Sequence, residues 1–123
     1  QLADLFLDTF NFNAHTTASD ALWAGLPVVT KLGKSFCARV AGSLLNSLEL
    51  NELITSSEEE YENLAMTLAS NKLKLTNIRK KLAEKRLIAP LFNSETYTRN
   101  LEKAYSHAYE RHIDGLAPAG FKV

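Results

Sequence analysis

The stretch Asn13-Ala14-His15-Thr16-Thr17-Ala18-Ser19-Asp20 holds residues that could act on a ligand together. It joins a short apolar run to a helix-like segment. The first N–H groups of a helix have no intrahelical acceptor, and the helix dipole favours an anion there. Thr16 and Thr17 add hydroxyl donors, and His15 adds a ring N–H that is positive when protonated. Such a set would cradle a diphosphate. Asp20 falls one turn in, where a carboxylate can accept hydrogen bonds from sugar hydroxyls. A plainer reading is that Thr17 and Asp20 form a capping box and His15 is a loop histidine. Capping boxes are common and His-Thr-Thr is not a general motif, so chemistry alone leans to the plainer reading.

Other chemistry-bearing groups are weaker. Gly33-Lys34-Ser35 lies between a strand and a helix, as the end of a P-loop does. That motif needs a Gly five residues earlier, where Val28 stands, so a P-loop is not expected. No Gly-x-Gly-x-x-Gly occurs. Lys72, Lys74, Arg79, Lys80, Lys81, Lys85 and Arg86 crowd one segment, but no aromatic residue interleaves them for base stacking. A solvated helix face is the simpler reading. His107 and His112 are five residues apart and do not share a helix face, so no metal site is expected. Cys37 reads as a small apolar residue and Trp23 as core.

These groups need elements to hold them. Leu5-Phe6-Leu7 reads as a buried strand, and Thr17 to Ala24 as a helix stopped by Gly25 and Pro27. Pro27 to Thr30 is a second strand. A helix from Ser35 follows, with Phe36, Val40, Leu44 and Leu48 facing a core. Leu53-Ile54-Thr55 is a third strand. Ser57 and Glu60 form a capping box for a helix that turns Tyr61, Leu64, Ala65 and Leu68 inward. A helix from about Lys72 to Leu87 carries Leu75, Ile78 and Leu82 on one face, and Pro90 ends it. Asn93 or Ser94 caps a last helix with Tyr97, Leu101, Ala104, Tyr105 and Ala108 on one side. Strand–helix–strand at this spacing means parallel strands with right-handed crossovers. The fold class is therefore α/β, half of a doubly wound, Rossmann-like sheet, with ligands expected at the carboxyl ends of the strands.

The 123 residues are 46% hydrophobic and 23% charged, as in one globular domain. Fourteen basic residues balance fourteen acidic ones, which argues against a nucleic-acid partner. One cysteine allows no intrachain disulfide, and no apolar run reaches a membrane span. The opening residues contain no signal peptide, and without an initial Met the chain reads as a piece of a longer one.

Leu7-Asp8-Thr9, Asn13-Ala14-His15-Thr16-Thr17 and Asp20-Ala21-Leu22-Trp23-Ala24-Gly25-Leu26-Pro27-Val28-Val29-Thr30 closely resemble the carboxyl-terminal catalytic lobe of O-GlcNAc transferases, including bacterial relatives with tetratricopeptide repeats. The likeness continues through Gly33, Ser35, Arg39-Val40-Ala41, Ser43-Leu44-Leu45, Glu52-Leu53-Ile54 and Glu60-Tyr61, and returns at Pro90-Leu91-Phe92-Asn93 and Tyr97-Thr98. It implies a two-lobed GT-B enzyme that transfers N-acetylglucosamine from UDP-GlcNAc to Ser or Thr of acceptor proteins, in the cytoplasm and without a metal or other cofactor. It implies that His15, Thr16 and Thr17 contact the diphosphate and that Asp20 holds the ribose, so the cradle reading takes precedence. No catalytic residue is assigned in this chain. The phosphate-binding lysine, the acceptor-side lobe and the repeats would precede residue 1, and the chain alone would not transfer. On this reading residues 1–92 are the later part of the UDP-sugar lobe, and 93–123 a helix that packs back toward the other lobe. Two departures stand out. Leu32-Gly33-Lys34-Ser35 replaces a common Pro-Gly-Glu-Ser, and Glu49-Leu50-Asn51 replaces a Gly-Leu-Pro turn. Two alternatives remain, a non-catalytic docking module whose partner face is the basic helix, or another UDP-sugar enzyme of the same fold.

Overall fold

Apolar runs flanked by turn-forming residues make three short strands, β1 (Phe6–Leu7), β2 (Val28–Lys31) and β3 (Ile54–Thr55). They pair in parallel in the order β1-β2-β3, with Phe6 opposite Val28 and Thr30 opposite Ile54. The computed structural model describes residues 2–122. Helices α1 (Thr16–Trp23) and α2 (Val40–Ser47) make the two crossovers, and α3 (Glu58–Ser70) and α4 (Lys72–Ile88) follow β3. These elements belong to one compact unit, Gln1–Ala89. Pro90–Val123 is a second unit, built on α5 (Ser94–Ile113). In it Arg111 donates to the Ala117 carbonyl, and the His107 ring lies 4.3 Å from that of Phe121, so the residues after α5 fold back along it.

The core of the first unit is aliphatic. Leu22, Val28, Val29, Leu45, Leu48, Leu50, Leu53 and Leu82 are fully buried between the helices and the sheet. β2 is buried on both faces, as a central parallel strand should be. β1 differs from expectation: among the described residues it pairs with β2 alone, and Leu7 is exposed rather than buried.

Three further expectations are corrected. Trp23 is not core: it ends α1 with 56% of its surface exposed. Phe36 is 83% exposed, because α2 starts at Val40 and not at Ser35. Backbone bonds of the loop before it go elsewhere: Gly33 N–H donates to Ala38 O, and Cys37 O accepts from Asn13 N–H. The capping box of Thr17 with Asp20 does not form. The N-cap lies two residues earlier, at His15, and no side chain sits on the first N–H groups of α1.

The ends of α1 and α2 share one pattern. After α1, Gly25 N–H reaches Leu22 O and Leu26 N–H reaches Ala21 O, with Gly25 at φ +81°. This is a Schellman motif, and glycine meets its left-handed position without strain. The end of α2 repeats it, with Glu49 N–H on Asn46 O and Leu50 N–H on Leu45 O, but the left-handed residue is Glu49 at φ +57°.

Candidate functional site

The loop from β1 to α1 leaves the sheet at Asp8, which is 4% exposed. Its carboxylate accepts the Ala14 N–H on Oδ1 at 2.7 Å and the Thr30 hydroxyl on Oδ2 at 2.6 Å. Its carbonyl accepts the Tyr61 hydroxyl at 2.9 Å. Burial, and after it the neighbouring Asp8 charge, raise the Tyr61 pKa. Asn13, 1% exposed, donates its side-chain N–H to Thr9 O, and its Oδ1 accepts the Ala41 N–H at the start of α2. The β1–α1 and β2–α2 loops are thus tied together from inside. The role of Asp8 and the burial of Asn13 were missed by sequence reasoning. A signal existed for Asp8 alone, a polar residue directly after the apolar strand β1.

This framework delivers the expected residues together at the carboxyl end of β1. Ser19 N–H to His15 O is the first intrahelical bond of α1, so the N–H groups of Thr16, Thr17 and Ala18 have no acceptor within the helix. Thr16 and Thr17 are exposed there, and Asp20 is exposed one turn on. The His15 ring stacks on Phe12, with centroids 4.8 Å apart, and meets Phe36 edge-on at 6.3 Å. Its Nε2 is buried without a hydrogen-bond partner among the described residues. A loop histidine satisfied by its own fold would not leave that atom orphaned. Chemically, the group offers backbone N–H donors, two hydroxyls and an imidazole at the positive end of a helix dipole. Such a group has the chemistry to receive an anion with several oxygens.

The other motifs are absorbed by structure. Gly33 is required by close approach, since a Cβ there would lie 2.4 Å from the Ala38 Cβ. Arg39 donates to the Gly33 carbonyl at 2.9 Å, which closes the loop into no phosphate-wrapping shape. The basic helix α4 spends much of its charge on its own unit. Arg79 pairs with Asp4 and Lys81 with Glu52, at 2.7 and 2.6 Å, and Lys85 pairs with Glu49. Arg86 donates to the Trp23 carbonyl at 2.6 Å, closing the exposed end of α1.

Residues 1–101 match the profile of glycosyl transferase family 41. The chain belongs to that family. It is 44% identical over 123 residues to the Arabidopsis thaliana protein named probable UDP-N-acetylglucosamine--peptide N-acetylglucosaminyltransferase SEC. It is 39% identical over 118 residues to the barley (Hordeum vulgare) protein of that name called SPINDLY. It is 36% identical over 116 residues to the Caenorhabditis elegans UDP-N-acetylglucosamine--peptide N-acetylglucosaminyltransferase. These alignments cover 99, 96 and 94% of this chain but only 13, 12 and 10% of the relatives. A solved mutant of Thermobaculum terrenum O-GlcNAc transferase superposes with a TM-score of 0.78 at 34% identity, over 83% of this chain and 20% of that one. The α/β, GT-B class expected from the sequence is thus the class of the family 41 fold. No helix of the described residues is long and apolar enough to cross a membrane.

Proposed function

We propose that this family 41 chain forms the diphosphate end of the donor site in a UDP-GlcNAc:peptide N-acetylglucosaminyltransferase. The observation that carries the proposal is the open start of α1, where His15, Thr16 and Thr17 gather around N–H groups that no side chain caps. The α1 N-terminus and these three residues hold the diphosphate, and Asp20 holds the ribose. In the transfer, the oxygen of a Ser or Thr side chain on the acceptor attacks the anomeric carbon. The bond from that carbon to the diphosphate breaks, and UDP leaves with the charge. Donors already aimed at the leaving diphosphate stabilise that charge where a metal ion would otherwise do so. The group that takes the hydroxyl proton, the acceptor lobe and any tetratricopeptide repeats belong to the rest of the full-length enzyme, which works in the cytoplasm. The docking-module alternative rests on a basic partner face, and α4 has four of those side chains engaged internally.

Hydrogen exchange in the full-length enzyme tests the assignment. UDP should protect the amides of residues 14–20. Thr17→Ala and Asp20→Ala should lower turnover far more than the melting temperature. Equal losses in both would reduce these residues to a folding role, and transfer abolished by chelators would refute the metal-free part.

A further inference from the structure

We propose that Asp8 is a positioning residue for the donor site: its buried carboxylate locks the peptide that enters α1, so that the N–H groups of the diphosphate cradle are aimed before the nucleotide arrives. This role rests on the diphosphate reading above.

The argument starts from the cost of the group. A carboxylate buried to 4% exposure sheds its hydration, and among the described residues no lysine or arginine pairs with it. Strand pairing does not need it, because the Asp8 backbone N–H already makes the ladder bond to Val29 O at 3.0 Å. What the side chain adds is a bond six residues ahead, to the Ala14 N–H. Ala14 directly precedes His15, so fixing its peptide fixes the direction in which the chain turns into α1. The other carboxylate oxygen is held in turn by Thr30, whose own carbonyl accepts the Thr55 hydroxyl at 3.0 Å. A chain of side-chain bonds therefore runs from β3 through β2 and β1 to the loop that carries His15. An ionised carboxylate only accepts, so neither of its two bonds can reverse and the loop keeps one orientation. Preset donors of this kind gain their effect from needing no rearrangement when charge develops.

The experiment uses the full-length enzyme, with the dissociation constant for UDP, the melting temperature and hydrogen exchange of the segment 9–17 measured together. Asp8→Ala removes both bonds and should weaken UDP binding about ten-fold, the loss expected for a charge-assisted hydrogen bond. It should also raise exchange in that segment. Asp8→Asn keeps an oxygen for the Ala14 N–H and can donate to Thr30, so it should restore most of the affinity. Should Asp8→Ala not fold, Thr30→Val and Thr30→Ser decide: the valine variant should weaken UDP binding and the serine variant should recover it. Leu82→Ala, in the buried face of α4, supplies a comparator that lowers melting without moving UDP affinity. A fall in melting temperature alone for Asp8→Ala and Thr30→Val, with unchanged UDP affinity, overturns the positioning role. Failure of UDP to protect residues 14–20 in the unsubstituted enzyme overturns the diphosphate reading and this role with it.

Discussion

Helix α1 and the three later helices begin in different ways. Ser57 accepts the Glu60 N–H at 3.1 Å, Asn71 the Lys74 N–H at 3.0 Å and Asn93 the Thr96 N–H at 2.9 Å, so α3, α4 and α5 each carry a side-chain cap. Helix α2 has no cap of its own, but Asn13 reaches across to the Ala41 N–H. Among the described α-helices, α1 alone starts with no side chain on its first N–H groups. A cap typically adds about 1 kcal/mol. A helix that forgoes one keeps its donors for something outside itself. On the proposed reading, the difference separates helix starts that serve folding from the one that takes up the diphosphate.

The strongest challenge is His15→Asp. It supplies α1 with a capping carboxylate and sets a negative charge where the diphosphate is proposed to lie. Turnover should fall by more than the hundred-fold to thousand-fold typical of one lost transition-state donor, about 3–4 kcal/mol, while the melting temperature holds or rises. Unchanged turnover in a steady-state assay would erase the distinction between α1 and the other helices. Next in size is Leu82→Ala, expected to cost about 2–5 kcal/mol in denaturant unfolding because it opens a cavity in the core. Asn71→Ala should cost about 1 kcal/mol of stability and leave UDP affinity unchanged. A change in affinity there would mean that a capped start also serves the ligand.

Acid titration sharpens the same contrast. The Glu60 carboxylate accepts the N–H and hydroxyl of Ser56, which hold its pKa below the ordinary 4.5. A pKa lower in the folded state adds stability above the unfolded value, and that stability is lost as pH falls through the folded value. Melting temperature should therefore drop on acidification below pH 4.5, and Glu60→Gln should flatten that slope. The smallest effect is expected for Glu49→Gly. It relieves a left-handed residue, a gain of about 1 kcal/mol, while the ion pair with Lys85 that it removes is solvent-exposed and adds little. The net change in unfolding free energy should be stabilising and small.

Much of the fold was legible because its signals are local. Val28-Val29 between Pro27 and a polar turn can hardly be anything but a buried strand, and Ser57 with Glu60 announces a helix start. The reciprocal arm of that box shifted by one residue, to Ser56. The misread residues depend on distant partners. Phe36 continues a four-residue spacing with Val40, Leu44 and Leu48, but the loop before α2 is claimed by Asn13 and Ala38. Trp23 looks like core by type, and nothing nearby in sequence says that Arg86 covers its carbonyl. In the site, His15, Thr16, Thr17 and Asp20 were visible as a run at the head of a helix. The supports were not: the bond from Asp8 to Thr30 spans 22 residues and that from Asn13 to Ala41 spans 28, beyond any motif.

Helix α4 fastens to residues made long before it: Arg79 to Asp4 across 75 positions, Arg86 to Trp23 across 63 and Lys85 to Glu49 across 36. Contacts so far apart along the chain slow folding, because each must close a large loop before it yields anything. During synthesis the strands leave the ribosome well ahead of their fastener. Until α4 has emerged, α1 and α3 lack the helix that packs on them and buries Leu82, and the nascent protein at that stage should be the one most dependent on chaperones.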